Sequence, residues 1–281
     1  MRVCVYIPKY NETHQQVLRA FARGIPGAQV RYLEEFREDS QVAVVFGWYK
    51  YAFLPTMKKK PIIDHYLKAG RLIVVESAFL KRKEYYQIGW NGFAGHADFK
   101  NEGVPMDRWK ALGIKAKPWN MNRNGLAVIC GQLPRDTQVQ DVDHLKWCRE
   151  TFLWYCNRMS SRAVFRPHPR HENPGEYGID PSLHDTRALK KVLEEASLIV
   201  TWNSTTAVEA VVAGVPVVAC NRGSMAWPMA EHQMTLCPSR PKREAWLAGL
   251  GYAQWTLEEM ERGLPWRHLT RSTNYAEAIH G

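Results

Sequence analysis

The chain predicts an α/β fold made of two successive domains, each organised around a parallel sheet. Three observations carry that prediction. Short apolar runs bounded by turn residues alternate with helical patterns, as buried parallel strands and their crossover helices do. The 281 residues suffice for two cores, and 45% hydrophobic with 23% charged residues is the balance of a soluble globular protein. Between Pro118 and Gly125 the pattern stops in a polar stretch containing Asn120, Asn122 and Asn124. The domains expected on either side are residues 1–121 and 122–281.

In the first domain, residues 3–8 read as a strand, 14–23 as a helix, 29–32 as a short strand and 42–46 as a buried strand. Residues 65–69 end a helix, and 71–76 form a strand running into Ser77. Strands alternating with helices imply a parallel sheet covered on both faces. After Trp90 comes Asn91-Gly92-Phe93-Ala94-Gly95-His96-Ala97-Asp98-Phe99, a glycine-spaced loop.

In the second domain, residues 126–130 form a strand leading into Gly131-Gln132. Residues 144–158 form a long helix with Leu145, Cys148, Phe152 and Tyr155 at helical spacing, and 163–166 the next strand. The chain closes with an amphipathic helix over 241–262 that packs back on the body. Trp255 and Trp266 are expected in the core rather than as stacking platforms.

No apolar run reaches the ~20 residues of a membrane helix, and the N-terminal run is too short for a signal peptide. The six cysteines show no CxxC spacing, and Cys4, Cys130 and Cys220 fall in apparent strands. Reduced thiols in a cytoplasmic protein are the expectation, with neither a disulfide framework nor a zinc site. The net charge of +10 divides unevenly: residues 1–120 hold 20 Lys/Arg and 11 Asp/Glu, residues 121–281 hold 18 and 17. That asymmetry points to an acidic partner for the first half.

The most informative stretch is residues 164–221. Apolar runs at 198–200 and 215–219 flank an Ala/Val-rich helical segment, the grammar of a βαβ unit. The turn between them holds Asn203, Ser204, Thr205 and Thr206, where unpaired N–H groups at a helix start suit a phosphate. A polar N-cap turn has the same composition without a ligand. Glu209 follows among Ala207, Val208, Ala210, Val211 and Val212; a carboxylate in such a run needs a partner, and a ribose offers two hydroxyls. Upstream, Arg166-Pro167-His168-Pro169 follows a strand. The prolines fix the backbone around His168, and Arg166 offers a fork suited to phosphate.

Arg-Pro-His-Pro after a strand, a Thr/Ser-rich turn, Glu209-Ala210 and Gly214-Val215-Pro216-Val217-Val218 together resemble the donor domain of GT-B glycosyltransferases. The capsular-polysaccharide (Kdo-transferase-like) branch and phage-encoded DNA glycosyltransferases are the nearest likenesses, over roughly residues 126–232. The resemblance implies two Rossmann-like domains with parallel sheets facing a central cleft. It implies that Gln132, Arg166, His168, Ser204, Thr205 and Glu209 contact a nucleotide sugar, with Glu209 at the ribose and a UDP-sugar favoured over a CMP-sugar. The family's first motif position is commonly Lys; here it is Arg166. No cofactor and no metal are implied, since such enzymes neutralise the leaving diphosphate or phosphate with a helix end and basic side chains, and inversion is the expected outcome.

Transfer needs a base for the acceptor hydroxyl, which the resemblance places in the first domain. Asp98, in the glycine-spaced loop, is the first choice there, with His96 and Glu76 as the others; a turn-capping acid is the plainer reading of Asp98. Lys58, Lys59, Lys60, Lys81, Arg82 and Lys83 cluster in this half among aromatics that include Trp48, Tyr49, Tyr51, Phe53, Tyr85, Tyr86, Trp90 and Phe93. Basic residues with aromatics suit a phosphate backbone and an extruded base, so double-stranded DNA bearing 5-hydroxymethylpyrimidines is the expected acceptor. An anionic cell-envelope glycan or glycolipid is the alternative acceptor, and a non-catalytic DNA-binding scaffold the alternative function. A phage-encoded enzyme of this kind would work in the host cytoplasm.

Overall fold

A strand buried on both faces reads as an apolar run, as residues 3–7, 42–46, 126–130 and 217–219 of this chain do. The computed structural model describes residues 1–50, 53–122, 124–159 and 162–271. The chain starts with β1 (Val3–Ile7), α1 (Glu12–Arg23), β2 (Gln29–Tyr32) and β3 (Val42–Phe46). α1 begins where the Asn11 side chain accepts a hydrogen bond from the His14 amide at 2.9 Å, a cap that satisfies one of the helix's unpaired donors. Next come α2 (Leu54–Met57), α3 (Lys60–Lys68), β4 (Leu72–Ser77), β5 (Tyr85–Trp90) and α4 (Asp107–Ala111).

The chain then builds β6 (Leu126–Cys130), α5 (His144–Met159), β7 (Ala163–Arg166), α6 (Leu189–Glu195), β8 (Ala196–Thr201), α7 (Thr206–Val212) and β9 (Val217–Ala219). It ends with α8 (Glu244–Tyr252), β10 (Gln254–Thr256), α9 (Leu257–Glu261) and α10 (Leu264–Leu269). Two units result: residues 1–113 with 243–281, and residues 114–242. The fold is a mixed α/β arrangement, consistent with a Rossmann-like fold; one sheet is wholly parallel and the other, expected to be parallel too, adds two antiparallel strands to four parallel ones.

The first unit has a six-stranded sheet in the order β10-β5-β4-β3-β1-β2. β1 to β4 run parallel, while β5 is antiparallel to β4 and β10 antiparallel to β5. One face carries Val3, Val5, Val42, Val44, Ile73 and Val75 against α1 and the C-terminal elements, and the other Cys4, Tyr6, Ala43, Val45 and Val74 against α3. The second unit has a four-stranded parallel sheet in the order β7-β6-β8-β9, with α5 covering Ile129, Phe165, Val200 and Val218.

Three expectations change. The expected division at 121/122 does not match the units: residues 114–122 bind the second unit through Lys117 N to Val212 O and Asn120 N to Gly214 O (2.9 and 2.7 Å). Gly214 is required there, because a Cβ would stand 2.0 Å from Pro118 O. The segment 243–271 belongs to the first unit, where β10 extends its sheet. The single helix expected over 241–262 is α8, β10 and α9, restarted by a capping box between Thr256 and Glu259. Trp255 is buried at 3% exposure, as expected of a core residue, and Trp266 packs partly buried against the same core.

The corrected units also redistribute the charge. The first holds 22 Lys/Arg and 16 Asp/Glu, the second 16 and 12, so they carry +6 and +4 rather than +9 and +1. The argument from asymmetry for a polyanionic partner of the first half loses most of its force.

Candidate functional site

All four strands of the second unit are parallel, so their carboxyl ends share one edge. In the last register Cys130 lies beside Arg166 and Thr201, and Thr201 beside Ala219. The segments leaving this row carry Gln132, His168, Asn203 to Thr205, and Asn221. The carboxyl edge of a parallel sheet is where α/β proteins hold ligands.

Two amides build the edge. Gln132 Nε2 donates to Asn203 Oδ1 at 2.9 Å, and the Asn203 amide N–H donates to Gln132 Oε1 at 3.1 Å. Asn203 Nδ2 also donates to Gln138 O (3.0 Å) and Asn221 Oδ1 (3.3 Å). Around Gln132, its own N–H donates to His144 Nε2 (2.9 Å) and its carbonyl accepts from Tyr177 Oη (2.7 Å). Gln132 is 6% exposed and Asn203 4%. Gln132, expected to touch the nucleotide sugar, instead spends its side chain holding two strand exits together. His144 is neutral: burial lowers its pKa to about 4.

The other predicted donor residues gather at this edge. Arg166 Nη1 donates to the carbonyls of Asp185 (3.1 Å) and Arg187 (2.6 Å), binding the following loop to β7. Arg187 in turn pairs with Asp185 and Glu195, each at 2.7 Å. His168 Nδ1 accepts the Arg170 N–H at 3.2 Å, which leaves the proton of a neutral ring on Nε2. Ser204 Oγ accepts the Thr206 N–H at 3.2 Å in the turn that enters α7; Ser204 and Thr205 are half-buried. Glu209 is the half-buried position of an otherwise buried stretch of α7. Burial is the main reason the Cys130 thiol pKa rises to about 12; the charges of Arg166, Glu209 and Asp185 are lesser influences on it. Thr201 Oγ1, wholly buried in the same row, has no hydrogen-bond partner among the described residues. A basic fork, an imidazole N–H donor, two hydroxyls and a carboxylate on one sheet edge can receive a phosphorylated sugar.

The first unit corrects several expectations. Asp98 is exposed and caps a turn, accepting the Lys100 N–H at 2.9 Å and pairing with Lys100 Nζ at 2.7 Å. His96 ends a short 3-10 turn and is exposed. Gly92 makes room for the chain itself: a Cβ there would meet His96 O at 2.8 Å. Glu76 sits half-buried at the end of β4.

Among the expected acceptor-binding residues, Lys59 is 4% exposed and its ammonium is internal. Lys58 pairs with Glu34 at 2.6 Å and Lys60 with Asp64. Trp90 is a strand residue whose Nε1 donates to Leu269 O at 3.0 Å, and Tyr86 packs on the same core. Trp48, Tyr49 and Phe93 pack in the other core; Phe53 is 47% exposed, and Tyr51 lies outside the described residues. Lys81, Arg82 and Lys83 are exposed in the turn before β5.

One Asp-x-Asp spacing occurs, Asp141-Val142-Asp143. Asp143 accepts the Lys146 N–H at 2.9 Å at the start of α5. Among the described residues no group of three His, Cys, Asp or Glu could hold a metal ion, and no helix is long and apolar enough to cross a membrane.

No family model and no curated protein matches the chain. Two solved structures that resemble it are KpsC proteins of Thermosulfurimonas dismutans. The beta Kdo 2,7 transferase is 13% identical with a TM-score of 0.51, covering 94% of this chain and 98% of that one. The beta Kdo 2,4 transferase is 15% identical with a TM-score of 0.51, covering 89% and 90%. At such identities the likeness is one of fold.

Proposed function

We propose that the chain is a glycosyltransferase that moves a sugar from a nucleotide donor to an anionic cell-envelope glycan or glycolipid. The observation that carries this reading is the convergence of Arg166, His168, Ser204, Thr205 and Glu209 on the carboxyl edge of the second unit. The fold shared with two Kdo transferases over about nine-tenths of the chain supports it. In this reading Arg166, His168 and the Ser204–Thr205 turn bind the phosphate, Glu209 accepts from the ribose hydroxyls, and Gln132 positions the exits of β6 and β8. The work divides as in GT-B enzymes, with the donor on the second unit and the acceptor base on the first. The expected route is metal-independent and inverting.

Glu76 is proposed as that base. It stands near a strand end, half-buried beside a buried lysine, whereas Asp98 is exposed in a turn and pairs with Lys100. The exposed Lys81-Arg82-Lys83 turn supplies cations for an anionic acceptor. A DNA acceptor has little left to support it, since Lys59 is internal, Trp90 is a half-buried strand residue packed on the core, and the charge asymmetry is small.

The test is to incubate the protein with UDP- and CMP-sugars, Kdo included, and with envelope glycans or 5-hydroxymethylpyrimidine DNA in parallel. A sugar-sized mass gain on the glycan is the expected result. The same gain on DNA nucleosides would restore the DNA acceptor. Salt-dependent DNA binding without turnover would favour a non-catalytic scaffold, and failure to bind any nucleotide sugar would end the transferase reading.

A further inference from the structure

The buried lysine beside Glu76 is the group in the first unit that most needs explaining. A buried ammonium is costly without partners and counter-charge. Lys59 Nζ donates to the carbonyls of Phe46 (2.6 Å) and Trp48 (3.0 Å), which flank Gly47 at the exit of β3. Gly47 has φ +63°, and a Cβ there would stand 2.7 Å from Glu76 Oε2 and 3.6 Å from Lys59 Nζ. The glycine therefore makes room for the Glu76 carboxylate, which lies with the Lys59 ammonium at the exits of β3 and β4. Glu76 Oε1 accepts the Ser77 N–H at 2.8 Å, which fixes the other end of the carboxylate.

We propose that Lys59 is the positioning residue of Glu76, clamping the Gly47 turn and supplying the charge that orients the carboxylate. This rests on the reading of Glu76 as the acceptor base. The groups facing Lys59 are Glu76 on β4, His14 on α1 and Lys50 after β3. Burial lowers the Lys59 pKa to about 8; Glu76 opposes that shift and Lys50 adds to it. His14, stacked flat on Phe46 with ring centroids 3.8 Å apart, is neutral, because burial and then the Lys59 charge lower its pKa to about 4. Lys59 is therefore a group beside Glu76 that changes charge near pH 8.

The experiment is a pH titration of the full chain carrying 13C-carboxyl glutamate, with the Glu76 resonance assigned by its absence from Glu76→Gln. In the unmodified protein the Glu76 signal should show an inflection near pH 8 besides its own acidic one. Lys59→Met should abolish that inflection and Lys59→Arg move it beyond the range. No alkaline inflection, or the same one in Lys59→Met, overturns the proposal without any substrate. On a nucleotide sugar that is turned over, Lys59→Met should lower kcat by about 10- to 100-fold with donor KM within about twofold, and Lys59→Arg should recover most of it. Unchanged kcat, or an equal rise in KM, counts against positioning. If Glu76→Gln keeps full turnover while the inflection stands, the base reading fails separately from the Lys59–Glu76 coupling.

Discussion

Gln132 and Asn203 hold each other by two reciprocal hydrogen bonds, 2.9 and 3.1 Å, across the exits of β6 and β8. They are 71 residues apart in the chain, yet each is the other's main partner. Truncating either leaves a buried amide unsatisfied, at a cost of about 1–3 kcal/mol. Gln132→Ala and Asn203→Ala should each lower stability by that amount, and the double variant by little more than one of them. Urea unfolding of the four proteins checks this; additive losses would mean the amides do not act as a unit.

His168→Ala and Glu209→Ala should each weaken nucleotide-sugar binding by about tenfold or more, equivalent to about 1.4 kcal/mol. Both residues are half-buried, so melting temperatures should move little. Calorimetric titration with UDP- and CMP-sugars reads the first effect and thermal unfolding the second. Affinities that stay unchanged remove the residue concerned from the donor site.

Asp98→Asn should leave turnover close to that of the unaltered enzyme and cost less than about 1 kcal/mol, the worth of an exposed ion pair. Its contacts are to Lys100 alone among those resolved for its carboxylate. A kcat loss of about 100-fold or more with intact folding would return Asp98 to the role of base.

His144 and His268 are 2% and 1% exposed, and burial lowers both pKa values to about 4. The unfolded chain takes up their protons below about pH 6.5, while the folded chain does so only near pH 4. Their contribution is therefore complete above about pH 6.5 and is lost as pH falls toward 4, at up to about 1.4 kcal/mol per pH unit for each residue. Unfolding free energies from pH 7 to 4.5 should show this slope, and His144→Gln should reduce it. An unchanged slope would mean that His144 does not take up its proton on unfolding.

What could be read from the sequence follows from where the determinants lie. β6, β8 and β9 are legible because a strand buried on both faces is an apolar run, and the polar turn before α7 breaks that run. Of the proposed donor residues, Gln132, His168, Ser204 and Thr205 are legible because each lies two to four residues past a strand, Arg166 because it ends one, and Glu209 because it is the charged residue of an apolar helical run. β5 is not, since Tyr85-Tyr86-Gln87-Ile88-Gly89-Trp90 lacks an apolar run and its partner β10 lies about 165 residues downstream. The Gln132–Asn203 bond depends on tertiary pairing that no local pattern encodes. Lys59 was hidden in a triplet: successive residues at a helix start turn by about 100°. Lys58 and Lys60 reach surface carboxylates while Lys59 turns inward.

The return of residues 243–271 to the first sheet also sets an order of assembly during synthesis. The segment 114–242 is complete when Lys242 leaves the ribosome. The first unit, although begun at Met1, still lacks β10, Trp255 and the Glu259 that pairs with Arg108 at 2.5 Å. Domains generally fold as units as the chain emerges. Here the second unit can finish first, while the sheet of the first unit waits with β5 as an uncovered edge until β10 arrives.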